Sequence, residues 1–192
     1  MQLLNVPFVF HYLRRLVNGN YFAEFHRLLE LRPGDRLLDV GCGVGEASCL
    51  AGNGVEYVGL DVDEGYIDYA RKLYGRPGVS FVHGDIQVVE GEYSKALVVC
   101  ALHHLSEEQV GQLGQRLHRL VGGPVGVVDP DPERSNWFQR IFLHLDRGDY
   151  IFRPIRGHLA PLEGLYDCQS LLTRDTRLRG ARLTYSVCQP KR

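Results

Sequence analysis

Five short apolar runs space the first two thirds of the chain, at residues 36–40, 55–60, 79–82, 96–101 and 125–128. Runs of this length predict strands buried on both faces, and the segments between them carry helical periodicity instead. Phe22, Phe25, Leu28 and Leu29 recur at helical spacing ahead of the first run, before Pro33-Gly34-Asp35 breaks the pattern. Residues 46–51 have the composition of a short helix closed by Gly52-Asn53-Gly54. Asp63 can cap a helix whose inner face is Ile67, Ala70, Leu73 and Tyr74. Ser106 and Gln109 form a capping-box pattern ahead of Val110, Leu113, Leu117 and Leu120, with Gly111 and Gly114 expected to loosen that helix.

Strand and helix alternating in this way predict an α/β fold, a Rossmann-like doubly wound sheet with right-handed crossovers and helices on both faces. Residues 165–173 and 181–188 flank a short segment with Gly180 and read as an antiparallel pair. The sheet is therefore expected to be mixed, with about seven strands and the last one antiparallel. Ligands of such sheets bind beyond the carboxyl ends of the strands.

Composition narrows the partners. A chain of 192 residues, 44% hydrophobic and 23% charged, fits one domain with a sizeable core. Its net charge of −1 and scattered arginines supply no basic patch, which argues against nucleic acid and anionic membranes. Five cysteines without CxxC spacing read as buried thiols in a reducing compartment. The first residues show no signal-peptide pattern, and no apolar stretch approaches the roughly 20 residues of a membrane span. A cytoplasmic protein is expected.

The chemistry gathers at LLDVGCGVGEAS, residues 37–48, where an apolar run ends on Asp39 and glycines follow at alternate positions. A dinucleotide fingerprint needs G-x-G-x-x-G, but Glu46 stands at the last position, where a carboxylate would repel a pyrophosphate. Asp61, which follows Gly41 by 61 − 41 = 20 residues, suits a ribose diol.

The D-x-G-x-G-x-G pattern from Asp39 to Gly45 resembles the first motif of class I S-adenosylmethionine-dependent methyltransferases. The resemblance extends from about residue 37 to 129 and implies a cofactor site of Asp39, Gly41, Cys42, Gly43, Gly45, Asp61, Val62, Asp85, Ile86, Cys100 and Ala101. In it Asp39 draws the methionine ammonium, Asp85 accepts from the adenine amine, and Val62 and Ile86 cover the ring. The stretch VVCALHHLSE matches the family's segment beside the reacting methyl, and makes His103 or His104 the candidate base. The competing role for each histidine is packing or a backbone hydrogen bond. Adjacent histidines without a third ligand imply no metal.

An Asp-Pro-Asp-Pro sequence follows the fifth run, where it reads as a turn without a catalytic task. Within the single domain 1–192, the resemblance places an N-terminal helical lid at 1–31 and a substrate cover at 133–160, where Trp137, Ile141 and Leu145 keep helical spacing. It points to the small-molecule branch, which acts on quinone, lipid or natural-product acceptors. The expected activity is methyl transfer from S-adenosylmethionine to a small, apolar metabolite. Two alternatives share the site: a cofactor-binding scaffold that has lost the chemistry, and an enzyme of the same fold with non-methyl chemistry. Acceptor atom and oligomeric state are not encoded in any motif.

Overall fold

The computed structural model describes residues 22–133, 151, 153–175 and 182–191. In chain order the main elements are α1 (Ala23–Leu28), β1 (Arg36–Val40), β2 (Glu56–Asp61), α2 (Glu64–Tyr74), β3 (Val79–His83), β4 (Lys95–Val99), α3 (Glu107–Leu120), β5 (Val125–Pro130), α4 (Ile155–Leu159), β6 (Tyr166–Asp175) and β7 (Arg182–Pro190). The seven strands form one sheet in the order β3-β2-β1-β4-β5-β7-β6. β1 to β5 run parallel, and β7 lies antiparallel between β5 and β6. The expected mixed, doubly wound sheet with a reversed last strand is what forms.

Successive residues of the central strands serve opposite cores. Leu38, Val98 and Val127 join one cluster with Val110, Leu113 and Leu117 of α3. Leu37, Leu97 and Val128 join the other with Phe25 of α1, Leu29 just past its end, and Ile67 and Ala70 of α2. Period-two alternation with both faces apolar is why these strands read as unbroken hydrophobic runs. Because β1 to β5 point the same way, their carboxyl ends share one edge. The polar residues that close the runs therefore converge there.

Several local expectations change. Residues Glu46–Leu50 form a 3₁₀ turn rather than an α-helix, since only a few residues separate left-handed Gly45 from Gly52. Leu73, expected inside, is half exposed, and Tyr66 is buried on α2 instead. The Asp63 cap and the Ser106–Gln109 capping box both form. β5 runs on through Asp129 and Pro130, all six of its residues buried, so the supposed turn is strand. Pro130 is accommodated because β5 ends there. Cys168 and Cys188 are bonded as a disulfide, which overturns the expectation of five thiols. They stand directly opposite one another in the β6–β7 register, a proximity that spacing along the chain does not reveal. Cys42, Cys49 and Cys100 remain thiols. Most of the expected lid and cover, residues 1–21 and 134–150, lies outside the described residues, as does Gly180.

The two glycines of α3 do different things. The helix continues unbroken past both to Leu120. A Cβ at Gly111 would meet nothing within 4 Å, whereas one at Gly114 would stand 2.5 Å from Cδ2 of buried Leu162. Gly111→Ala should therefore stabilise the fold by about 0.5–1 kcal/mol through helix propensity. Gly114→Ala should lower stability, because overpacking costs about 1–3 kcal/mol and exceeds the same gain. Chemical denaturation of the two variants checks this; a rise in both would show that Leu162 yields without cost.

Candidate active site

The cradle starts where β1 ends. Gly41, Gly43 and Gly45 have φ of +74°, +54° and +82°. At Gly45 an added Cβ would lie 2.7 Å from the Phe81 ring and 2.9 Å from Ala70, so the left-handed turn and the close contact both exclude a side chain. At Gly41 it would lie 3.0 Å from the Ala101 Cβ, which shows how near the ends of β1 and β4 approach. The amides of Gly41 and Cys42 both donate to the Leu60 carbonyl, at 2.8 and 2.9 Å. Cys42 is buried beneath the loop, its sulfur 3.6 Å from the Gly43 carbonyl.

Asp61 closes β2 and ties the loops together. Its Oδ2 accepts from the Gly43 amide at 2.8 Å, and its Oδ1 from the Asp63 amide at 2.9 Å. A carboxylate is acceptor-only, the group type that receives hydrogen bonds from a pair of vicinal hydroxyls. Val62 beside it is 70% exposed, an apolar side chain left open at the sheet edge. Asp85 is exposed after β3, with Oδ1 accepting from the Gln87 amide at 2.7 Å to begin the turn Ile86–Val88. Ile86 packs into the core, so Val62 provides the open face and Ile86 supports the loop from beneath.

Asp39 is almost wholly buried, and its Oδ2 accepts from the Tyr57 hydroxyl at 2.5 Å. Burial and then the Asp39 charge push the Tyr57 hydroxyl well above its ordinary pKa, so it remains a donor. Sequence reasoning missed Tyr57; the available signal was a tyrosine inside an apolar run, whose hydroxyl needs a buried partner.

β4 is followed by Cys100, a non-glycine residue at φ +51° whose amide donates to the Val128 carbonyl at 2.7 Å. That left-handed residue turns the chain into the 3₁₀ turn Leu102–His104. The adjacent histidines then separate. His103 is fully buried and its Nδ1 bonds the carboxylate of Asp129, while His104 is half-buried with its ring centroid 3.9 Å from that of His103. From the far side the Ile151 amide donates to the His103 carbonyl at 2.8 Å, and the Arg153 guanidinium donates to the Leu105 carbonyl. Asp129, read from sequence as part of a turn, thus stands fully buried at the edge that the expected site residues share. Its signal was present: an aspartate closing an apolar run, as at Asp61.

The structure brings Asp39, Asp61, Asp85 and Asp129 to the carboxyl edge of the parallel strands β1, β2, β3 and β5, with Cys100 and Ala101 following β4 between them. An edge carrying these carboxylates favours a cationic ligand. The donor set fits a nucleoside carrying an amino-acid chain and a sulfonium. Among the described residues no group of three or more side chains suited to a metal ion is present.

Comparison with known proteins agrees. A methyltransferase domain family model matches residues 37–123, from β1 through α3. An uncharacterized methyltransferase of Synechocystis is 32% identical over 143 residues, covering 68% of this chain and 66% of that protein. The matches to the other curated relatives span from a third to about half of their length. Among solved structures, a TehB-like SAM-dependent methyltransferase from Corynebacterium glutamicum superposes with a TM-score of 0.70 at 18% identity, covering 97% of each chain. The magnesium protoporphyrin IX methyltransferase of Synechocystis, solved with bound SAH, gives 0.67 at 18% identity, covering 100% of this chain and 89% of that one. These two likenesses show a shared fold. With the family match spanning the glycine loop and the strand-end acids around it, the chain belongs to the class I S-adenosylmethionine-dependent methyltransferases.

Proposed function

We propose that this protein transfers a methyl group from S-adenosylmethionine to a small, apolar metabolite. The observation that carries the reading is Asp61, a carboxylate held by the Gly43 and Asp63 amides at the end of β2, beside exposed Val62. When bound, the cofactor supplies an electrophilic methyl on a sulfonium.

The chain's own residues do the rest. Asp61 accepts from the ribose hydroxyls, Asp85 from the adenine amine, and Val62 covers the ring. Asp39, fixed by Tyr57, attracts the ammonium from the end of β1. The backbone of Gly41, Gly43 and Gly45, with Cys42, Cys100 and Ala101, sets the path of the methionine chain. Displacement at a methyl group needs alignment, exclusion of water and, for some acceptors, loss of a proton. Half-buried His104 is the imidazole with exposed surface on the turn after β4, and so is the candidate to take that proton; His103 holds the turn to β5 through Asp129.

The near-neutral charge supports a neutral, small acceptor over a polyanion such as nucleic acid. The names of similar proteins, a demethylmenaquinone methyltransferase and the porphyrin enzyme, support an apolar ring acceptor. We assign its apolar cover to residues 1–31 and 133–160 of a single domain, and its compartment to the cytoplasm; the thiols Cys42, Cys49 and Cys100 suit that compartment, and the Cys168–Cys188 disulfide counts against it. No helix among the described residues is long and apolar enough to cross a membrane.

Calorimetry tests the reading at its base. S-adenosylhomocysteine should bind with micromolar affinity, about −8 kcal/mol, and NADH should not bind, because Glu46 opens the turn where a pyrophosphate would lie. Tight NADH binding with no response to S-adenosylhomocysteine ends the proposal.

Asp61→Ala should cost about 1.5–3 kcal/mol of S-adenosylhomocysteine affinity for each charged hydrogen bond lost. It should also loosen the glycine loop, since the Gly43 and Asp63 amides lose their acceptor. Unchanged affinity in a folded variant removes the ribose assignment.

A further inference from the structure

The 3₁₀ turn Ile86–Val88 follows β3 with Asp85 at its head, and its own bonds are long. The Val88 amide donates to the Asp85 carbonyl at 3.2 Å, and the Val89 amide to the Ile86 carbonyl at 3.4 Å. A lone 3₁₀ turn with bonds of this length is weakly self-supporting. Gly84, just ahead of it, has φ of +143°, a region that glycine enters with little restraint. Ile86 and Val89 are buried in the core, but apolar burial is non-directional and does not set how the turn is rotated.

Two ties from outside supply that direction. On the β2 side, the Gly84 amide donates to the Asp61 carbonyl at 2.9 Å. On the α3 side, Arg116 spans the turn from end to end. Its Nη2 donates to the Val89 carbonyl at 2.6 Å, and its Nε makes a longer bond to the Ile86 carbonyl at 3.4 Å. A planar guanidinium presents several N–H donors in a fixed fork, which suits two carbonyls on one turn better than the compact ammonium of lysine. Both acceptors belong to the main chain, so the contact sets the backbone path whatever side chains the turn carries. The helix behind it is anchored, since Val110, Leu113 and Leu117 of α3 lie in the core.

In the methyltransferase reading, Asp61 accepts from the ribose and Asp85 from the adenine amine, two groups of one nucleoside. The Gly84 tie and the Arg116 fork together set the span between the two carboxylates. Without the fork, the Asp61 end stays in place while the Asp85 end is free to drift. The amine bond is then lost and the ribose bonds remain.

We propose that Arg116 is the positioning residue for recognition of the cofactor's 6-aminopurine ring, acting through the turn that carries Asp85. The proposal rests on the methyltransferase reading and adds to it the source of the site's selectivity for the base.

The test compares S-adenosylhomocysteine with its analogue in which hydrogen replaces the 6-amino group, by calorimetry on the full chain. The parent should prefer S-adenosylhomocysteine about tenfold, the contribution of one hydrogen bond to a charged group. Arg116→Met keeps most of the aliphatic stem and removes the guanidinium. Its preference should fall to about threefold or less, while affinity for the deamino analogue stays within about twofold of the parent's. Arg116→Lys should lie between the two. In Asp85→Ala the preference should vanish, and adding Arg116→Met should lower S-adenosylhomocysteine affinity no more than about twofold further, because both residues act on one bond. A preference that survives in folded Arg116→Met, equal losses for the two ligands, or additive losses in the double variant overturns the proposal. So does failure of both Arg116 variants to fold, which would make the residue a support of the whole chain. Equal binding of the two ligands by the parent removes the amine contact and the proposal with it. Failure of the parent to bind either ligand would instead overturn the methyltransferase reading, so the two failures are separable.

Discussion

The hydrogen bonds that Asp61 accepts from two backbone amides organise the cofactor edge. One comes from Gly43 in the loop after β1, the other from Asp63 at the cap of α2. A single carboxylate thus sets the distance between the glycine loop and the second strand, and it is charged where a diol is expected. Charge-assisted bonds of this kind are roughly twice as strong as neutral ones, so the cradle is shaped before any ligand arrives. Phe81 and Ala70, pressed against Gly45, fix the same loop from its other side. Preorganisation of this sort reduces the ordering cost of binding.

That shared edge explains how much of the site could be read from sequence. Parallel strands end together, so the aspartates closing separate apolar runs were bound to meet once the runs were recognised as strands. Asp39, Asp61 and Asp85 were legible for that reason, and the glycine spacing separated a methionine-type cofactor from a dinucleotide. Capping at Asp63 and Ser106 was legible because a cap is a local bond between residues three apart.

What stayed hidden depends on contacts between distant residues. Cys168 and Cys188 look unrelated along the chain, and only the β6–β7 register makes them partners. Asp129-Pro130 carries a turn signature, yet tertiary pairing of β5 with β7, Asp129 opposite Thr184 and Pro130 opposite Leu183, draws both residues into strand. Propensity yields to packing there because both cores need β5 filled to its end. His103 and His104 are adjacent and chemically identical, so sequence offers no basis for telling them apart. The fold does so, by giving one to Asp129 and leaving the other partly exposed.

The strand-end acids divide into two kinds by what holds them. Asp39 is held by a tyrosine that keeps its proton, Asp61 by backbone amides, and both are fixed by the sheet and its own loops. Asp129 is held by His103 from the turn after β4, and faces a segment, residues 153–162, that comes from outside the parallel sheet. Groups fixed within the sheet suit a ligand that the whole family shares, since sheet geometry tolerates little variation. Groups shared between the sheet edge and a later segment can change with that segment alone.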